Sequence, residues 1–100
     1  MAFSQAEIAD PQAMSVAVDD TTLTVELSDG RTISVPLAWY PRLLHASPAQ
    51  RGNWRLIGGG EGIHWSDLDE DISVTALLTG KRSGESEASL RTWMTGQRGI

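Results

Sequence analysis

The sequence predicts a small α+β fold, and three observations lead to this prediction. Apolar and polar residues alternate with period 2 from Met14 to Leu37, and the Asp29-Gly30 pair within this run favours a hairpin turn. Helical patterning follows, and then two short apolar runs lie on either side of a glycine-rich stretch. We expect a three-stranded antiparallel β-meander, a short helical segment, a β-hairpin, a closing helix and a C-terminal helical tail.

The meander is indicated by alternation in three consecutive segments. Each segment carries β-branched or aliphatic residues at every second position, which is typical of a strand with one buried face. Pro36 is expected at a strand end or on an edge, since it has no backbone N–H to donate to a neighbouring strand. The alternating residues of the three strands are Met14, Val16, Val18; Leu23, Val25, Leu27; and Ile33, Val35, Leu37.

Helix boundaries in the second half are marked by capping signals. Ser47 and Gln50 form a capping box with a proline at the first helical position. Ser73 is expected to cap a helix over residues 74–79, and Gly80 suits the position just past its end. Residues 54–57 and 63–65 are predicted to pair as strands across the glycine-rich turn. Ser86 is expected to cap a last helix that runs to about residue 95.

We expect one domain with two flanking segments. Residues 1–12 are interpreted as a flexible leader, residues 13–80 as a single α+β domain, and residues 81–100 as a linker and tail helix. One hundred residues suit one small domain with a thin hydrophobic core.

Composition excludes several classes of protein. The formal net charge is −5, and non-specific nucleic-acid binding needs a basic surface, so nucleic acid is an improbable partner. The absence of cysteine excludes a disulfide scaffold, a thiolate zinc site and a cysteine nucleophile. The sequence has neither a secretory signal pattern nor an apolar run of membrane-spanning length, which predicts a cytoplasmic protein.

Asp67, Asp69 and Asp71 resemble the start of a calcium-binding loop. An EF-hand loop beginning at Asp67 needs glycine at its sixth position and glutamate at its twelfth, and this chain has Ile72 and Leu78 there. Carboxylates just ahead of a helix interact favourably with its N-terminal end. We interpret the residues as an acidic surface open to a partner, and assign no catalytic, cofactor-binding or metal-binding residue.

The aromatic residues and one histidine complete the candidate binding surface. Tryptophan is enriched at interface hot spots, and this short chain has four tryptophans. Most of the tryptophans are expected to pack inside the domain, and the Trp39-Tyr40 and Trp93-Met94 pairs are the expected exposed apolar contacts. His64 is expected to lie near the acidic residues. The predicted partner-binding residues are Trp39, Tyr40, His64, Asp67, Asp69, Glu70, Trp93 and Met94.

The sequence also resembles a known family. Its segments SDGRTISVPL, WYPRL, GIHW and LDEDISV, followed by LLTG, are similar to the small bacterial family called domain of unknown function 2442. The resemblance covers residues 16–80 and implies the same α+β arrangement. Some members carry a helix-turn-helix domain, for which about twenty residues after Gly80 are too few. Members also occur beside proteins of another family in arrangements suggestive of toxin–antitoxin pairs. The resemblance supplies no catalytic residues.

These observations favour a non-enzymatic protein-interaction module. Its most concrete form is an antitoxin-like or regulatory partner of a basic, toxin-like bacterial protein, since opposite charges speed encounter and aromatic anchors supply affinity. Exposed sheet edges also admit a homodimer. The alternatives are a transcription-regulatory accessory domain and a small metal-dependent hydrolase built on His64, Asp67 and Asp69.

Overall fold

The structure is a computed structural model and describes residues 11–97. This part of the chain contains two three-stranded antiparallel sheets and four α-helices. The first sheet has the order β1-β2-β3 and the second β4-β5-β6. The elements in chain order are β1 (Ala13–Val18), β2 (Thr22–Leu27), β3 (Thr32–Pro36), a 3₁₀ turn (Leu37–Trp39), α1 (Pro41–Leu44), α2 (Pro48–Gly52), β4 (Trp54–Ile57), β5 (Gly62–Trp65), a second 3₁₀ turn (Ser66–Leu68), β6 (Glu70–Ser73), α3 (Val74–Thr79) and α4 (Glu87–Gln97).

The first sheet is the predicted meander, with one difference in β1. The hairpin between β2 and β3 turns at Gly30, whose φ of 92° suits glycine. The register between β1 and β2 shifts between Ala13 and Ser15. This β-bulge places Ala13 in the core and leaves Met14 62% exposed, so the expectation that Met14 lies on the buried face was wrong.

The second sheet contains a strand that the sequence did not predict. The β4–β5 hairpin forms as expected, and its turn uses positive φ at Gly58, Gly59 and Gly60. Strand β6 then pairs with β5 along residues that were interpreted only as the approach to a helix. Only one residue of β6, Ile72, is apolar and buried, so period-2 alternation could not identify so short a strand.

The core lies between the inner faces of the two sheets and is closed by the helices. The largest side chain that is wholly inaccessible to solvent is Trp65, and its indole N–H donates to the backbone carbonyl of Arg51 at 3.0 Å. The buried apolar residues are Ala13, Leu23, Val25, Leu27, Val35, Leu37, Tyr40, Leu43, Ala46, Ile63, Trp65, Leu68, Ile72, Val74 and Leu77.

Arg51 is buried among these residues and ties α1 to the first sheet. Its Nε donates to the carbonyl of Leu43 at 2.9 Å and its Nη2 to that of Leu44 at 2.8 Å. Its Nη1 donates to Asp20 at 2.9 Å. The guanidinium therefore donates to carbonyls at the end of α1, a four-residue helix whose last carbonyls have few donors within the helix.

The predicted helix caps are present. Ser47 and Gln50 form both hydrogen bonds of a capping box at α2. The Ser73 hydroxyl accepts from the backbone N–H of Ala76 at 3.0 Å, and Gly80 ends α3 with a φ of 74°. These interactions explain why helices of so few residues form at all.

The predicted tail helix is also present. The Ser86 hydroxyl accepts from the N–H of Ser89 at 3.0 Å at the start of α4. The linker before it is held by the body, since Tyr40 donates to the carbonyl of Lys81 at 3.1 Å and the Ser83 N–H donates to that of Trp39 at 3.1 Å. The predicted leader falls mostly outside the described residues. Among those described, no helix has the length and apolar character needed to cross a membrane.

Gly60 provides a test of how the two sheets meet. An added Cβ at Gly60 lies 2.7 Å from the carbonyl oxygen of Ala13, and the φ there is 105°. The Ala13 N–H also donates to the carbonyl of Gly60 at 2.7 Å, so neither segment can move independently. We expect Gly60→Ala to lower the free energy of unfolding in urea by about 2–3 kcal/mol. The control is Gly52→Ala, where no atom lies within 4 Å and a change within about 1 kcal/mol is expected. Equal effects of the two variants would contradict this description.

Arg51 provides a second test. Arg51→Met keeps much of the buried aliphatic stem but removes the side-chain donor of the Leu44 carbonyl and leaves the Leu43 carbonyl with backbone N–H donors only, such as that of Ala46. We expect a loss of about 2–4 kcal/mol in urea-induced unfolding. Arg55→Met is the matched control, because Arg55 is exposed on the outer face of the second sheet, and it should change stability by less than about 0.5 kcal/mol. A loss below 1 kcal/mol for Arg51→Met would show that its hydrogen bonds are dispensable.

Candidate interaction surface around Arg42

Arg42, in the first turn of α1, binds the carboxylate of Glu85 with two hydrogen bonds. Pro41 occupies the first helical position and sets the start of this short helix. The Arg42 Nε donates to Glu85 Oε1 at 2.7 Å, and Nη2 donates to Oε2 at 2.9 Å. The side chains are 17% and 8% exposed. A shielded, bidentate arginine–carboxylate pair is stronger than an ion pair on an open surface.

The remaining edge of the guanidinium holds the turn between the second 3₁₀ turn and β6. Nη1 donates to the backbone carbonyls of Leu68 and Asp69, both at 3.1 Å. Asp69 has a φ of 50°, a left-handed conformation that aspartate tolerates better than most residues. Its carboxylate, 92% exposed, lies 3.9 Å from Arg42 Nη1. Arg42 thus fixes a sharp turn that presents an acidic side chain to solvent.

The Arg42 guanidinium also lies over the ring of Trp93 in α4. The Arg42 Cζ is 5.3 Å from the ring centroid, within the range of a cation–π interaction. From the first turn of α4, the Ser89 hydroxyl donates to Oε2 of the linker residue Glu85 at 2.6 Å. Arg42 therefore anchors the tail helix both through the linker residue Glu85 and through Trp93.

A second arginine–tryptophan pair lies beside the first. The Arg82 Cζ is 4.9 Å from the centroid of the half-buried Trp39 ring. The backbone carbonyl of Trp39 also accepts from Ser83. Residues 82–83 of the linker are therefore fixed along the 3₁₀ turn that precedes α1, and Trp39 is partly covered by this contact.

The structure brings some of the predicted partner-binding residues together and separates others. Asp69, Glu70 and Trp93 lie around Arg42. Tyr40 does not belong to an exposed surface: it is only 4% exposed and its hydroxyl is bonded to Lys81, so the expectation of an exposed Trp39-Tyr40 pair was wrong for Tyr40. Tyr40 instead belongs to the cluster of buried core residues.

Asp67 and His64 are engaged with other partners. The Asp67 carboxylate accepts from the Asn53 side-chain amide at 2.9 Å. His64 and Glu70 point to opposite faces of the second sheet, since Glu70 faces Trp65 across the strands and His64 faces Asp71. Nδ1 of His64 bonds Asp71 directly. Asp71 therefore lies with His64 on one face of the second sheet, whereas Asp67 and Asp69 belong to the turn before β6. Residues 11–97 contain no group of three histidine or acidic side chains that could hold a metal ion.

The carboxyl group of Glu70 has an unusual pKa. It is half-buried, and burial raises its pKa to about 7, although the nearby Arg42 charge opposes the rise. By contrast, the hydrogen bonds from Arg42 hold the pKa of Glu85 below its usual value. The pKa values of the two carboxyl groups therefore move in opposite directions, because burial raises that of Glu70 whereas hydrogen bonds from Arg42 lower that of Glu85.

One side of α4 carries a shallow groove. Leu90 and Met94 are half-buried and lie one helical turn apart, with Glu87 and Arg91 beside them. The sequence analysis identified Met94 as a contact residue. It missed Arg42 and Glu85, which are 43 residues apart, because only the folded chain brings a polar linker beside α1.

The fold agrees with solved structures of uncharacterised proteins. A crystal structure of a protein of unknown function from Rhodospirillum rubrum matches with a TM-score of 0.67 and 28% identity, covering 82% of this chain and 99% of that one. A solution structure of an uncharacterised structural-genomics target from Chromobacterium violaceum matches with a TM-score of 0.64 and 23% identity, covering 92% and 79%. No curated protein matches the chain.

A small α+β protein with a paired-sheet core is therefore the class that the fold defines. The model of the family described as protein of unknown function (DUF2442) matches residues 13–83, and the chain belongs to that family. The match includes Arg42 and ends just before Glu85 and α4. The resemblance inferred from the sequence segments is confirmed.

The Arg42–Glu85 pair predicts a selective effect on the tail helix. Glu85→Gln removes the negative charge and places an amide N–H₂ against the guanidinium. We expect amide hydrogen-exchange protection in α4 to fall roughly tenfold, while protection in β2 and β5 stays unchanged. Glu26→Gln, an exposed charge change on the first sheet, is the control and should leave α4 protection as it is. Unaltered α4 protection in Glu85→Gln would show that the pair does not hold the helix.

Proposed function

We propose that the protein is a non-enzymatic interaction module that binds another protein through the surface formed by Asp67, Asp69, Trp93 and Met94. The observation that supports this proposal is the position of Arg42, which fixes an acidic turn and a tryptophan-bearing helix side by side. An interface commonly needs an anchoring aromatic side chain and a polar rim. Here both come from segments that are held in place before binding.

The acidic part of this surface favours a basic partner. Asp67 and Asp69 are exposed, and the whole chain has a net charge of −5. Carboxylates at the rim of an interface raise the association rate with a positively charged partner, and salt weakens that effect. We infer that these charges affect the association rate with the partner more strongly than they affect the lifetime of the complex.

The apolar part of the surface supplies the contact that stabilises the complex. Trp93 and Met94 are half-buried on α4, and the groove beside Met94 is open. An apolar side chain from a partner that enters this groove buries area on both proteins. A helix with one side against the body and another open is suited to this role.

The proposed partner is a bacterial protein with lysine or arginine around an apolar centre. A toxin-like protein neutralised by this chain is the most concrete form of the proposal, and a regulatory partner is the broader one. In either form the chain acts by occupying a surface of its partner, without a chemical step of its own. The tail helix then determines the affinity of the complex, and the acidic turn determines its association rate.

The test measures binding to the product of the adjacent gene by calorimetry and stopped-flow fluorescence. Asp69→Lys should lower the association rate roughly tenfold at low salt, because it reverses a rim charge. Met94→Asp should raise the dissociation rate and weaken affinity by at least about tenfold, because it places a charge in the apolar contact.

Two matched variants control for charge alone. Glu26→Lys makes the same charge reversal on the first sheet, and Thr92→Asp adds an aspartate on another, exposed side of α4. Both should bind like the unmodified protein. The proposal is contradicted if no complex forms at micromolar concentrations, or if the controls weaken binding as much as the two surface variants do.

A further inference from the structure

The outer face of the second sheet carries a row of three polar side chains. Arg55 on β4 lies directly opposite His64 on β5, and His64 lies directly opposite Asp71 on β6. Residues that lie directly opposite each other in a sheet point to the same face. Since adjacent strands are about 4.8 Å apart, the positive and the negative end of the row are about 10 Å apart, with the histidine between them.

Both charged ends of this row are open to solvent. Arg55 is exposed, and its side chain makes no hydrogen bond or ion pair with another of residues 11–97. Asp71 is 67% exposed, and Nδ1 of His64 bonds its Oδ1. The histidine therefore holds the carboxylate over the sheet, while the other carboxylate oxygen and the guanidinium are left for a contact outside the chain.

An exposed apolar side chain lies next to the row on the same face. Ile57 is two residues beyond Arg55 on β4 and is 36% exposed. It leans over Gly62 on the central strand, since its Cγ1 and Cδ1 lie 3.2 and 3.3 Å from the position that a Cβ on Gly62 would occupy. The middle of this face is therefore apolar beside the charged row.

The order of the charges makes this face complementary to itself. A twofold axis that runs parallel to β5 above His64 places β4 of one copy opposite β6 of the other. Arg55 of each copy then faces Asp71 of the other, and the two Ile57 side chains meet over Gly62. A twofold axis across the strands would instead place like charges together. A symmetric dimer requires a surface patch that pairs with itself in this way.

We propose that two copies of this chain form a symmetric dimer through the outer faces of their second sheets, held by two Arg55–Asp71 ion pairs around the Ile57 contact. The net charge of −5 on each copy opposes association. Arg55 offsets this repulsion locally, because it brings a cation against the carboxylate of the other copy. None of these three residues belongs to the surface proposed for a different partner protein.

The size of the contact determines its strength. Three strands of four residues each extend about 13 Å along the strands and about 10 Å across them. A contact of this size lies at the low end of protein interfaces, so the dissociation constant should be on the order of 100 µM. The chain is then a monomer at low micromolar concentrations, at which unfolding and partner binding are measured.

The experiment is sedimentation equilibrium of the full chain and its variants at concentrations up to about 1 mM, well above the expected dissociation constant. Arg55→Asp and Asp71→Arg each convert two attractive pairs into two repulsive ones, and each should weaken association at least about tenfold. Both substitutions in one chain restore opposite charges across the axis, so the dissociation constant should return to within about threefold of the unmodified value.

An equimolar mixture of the two single variants tests the twofold arrangement directly. One chain then presents two acidic side chains and the other two basic ones, so the mixture should dimerise although neither variant does so alone. Glu26→Lys, an exposed charge reversal on the first sheet, is the control and should leave the dissociation constant unchanged.

Three results overturn the proposal: no association of the unmodified chain at about 1 mM, a dimer that Arg55→Asp leaves intact, and a mixture of the single variants that stays monomeric. Asp71→Arg also removes the bond to His64. If that variant does not fold, Ile57→Asp decides the matter, because it brings two carboxylates together at the axis. It must weaken association at least about tenfold, and an unchanged dissociation constant overturns the proposal. None of these measurements involves another protein, so the result is separate from the fate of the proposed function.

Discussion

The placement of the tail helix depends on one guanidinium. Arg42 contacts Glu85 in the linker, two carbonyls in the turn before β6 and the ring of Trp93. Each contact alone is modest, but they share one rigid, planar group, so their geometries are coupled. The acidic turn and α4 are consequently held in a fixed relative position. A binding surface formed by two separate segments requires such a fixed position.

The core beneath this surface is organised by a second arginine. Arg51 satisfies carbonyls at the end of α1, while its own carbonyl receives the indole N–H of Trp65. Short helices leave many backbone groups without partners, and a small protein has little apolar area with which to offset that cost. Two arginines thus position α1 from opposite sides: Arg51 from the core and Arg42 from the tail.

Local sequence signals predicted the parts of the fold that short-range physics determines. The meander, the capping box at Ser47, the cap at Ser73 and the glycine turn all depend on residues close in sequence. Strand β6 was missed because pairing with β5, rather than its own pattern, makes it a strand. Tyr40 was predicted to lie at the surface because the local sequence around an aromatic residue next to a proline does not indicate whether its side chain points to the core or to solvent. Arg42 and Glu85 were missed because their pairing exists only after folding.

The central claim is that Arg42 and Glu85 act as one unit in holding α4, and a double-mutant cycle tests it most directly. The free energy of α4 docking would be measured by hydrogen exchange in the unmodified protein, Arg42→Gln, Glu85→Gln and the double variant at pH 5.5. We predict a coupling energy of about 1–3 kcal/mol, with the double variant hardly worse than Arg42→Gln alone, because Arg42→Gln also removes the contact with Trp93. Strictly additive effects would contradict the account, because they would mean that the two side chains stabilise α4 independently.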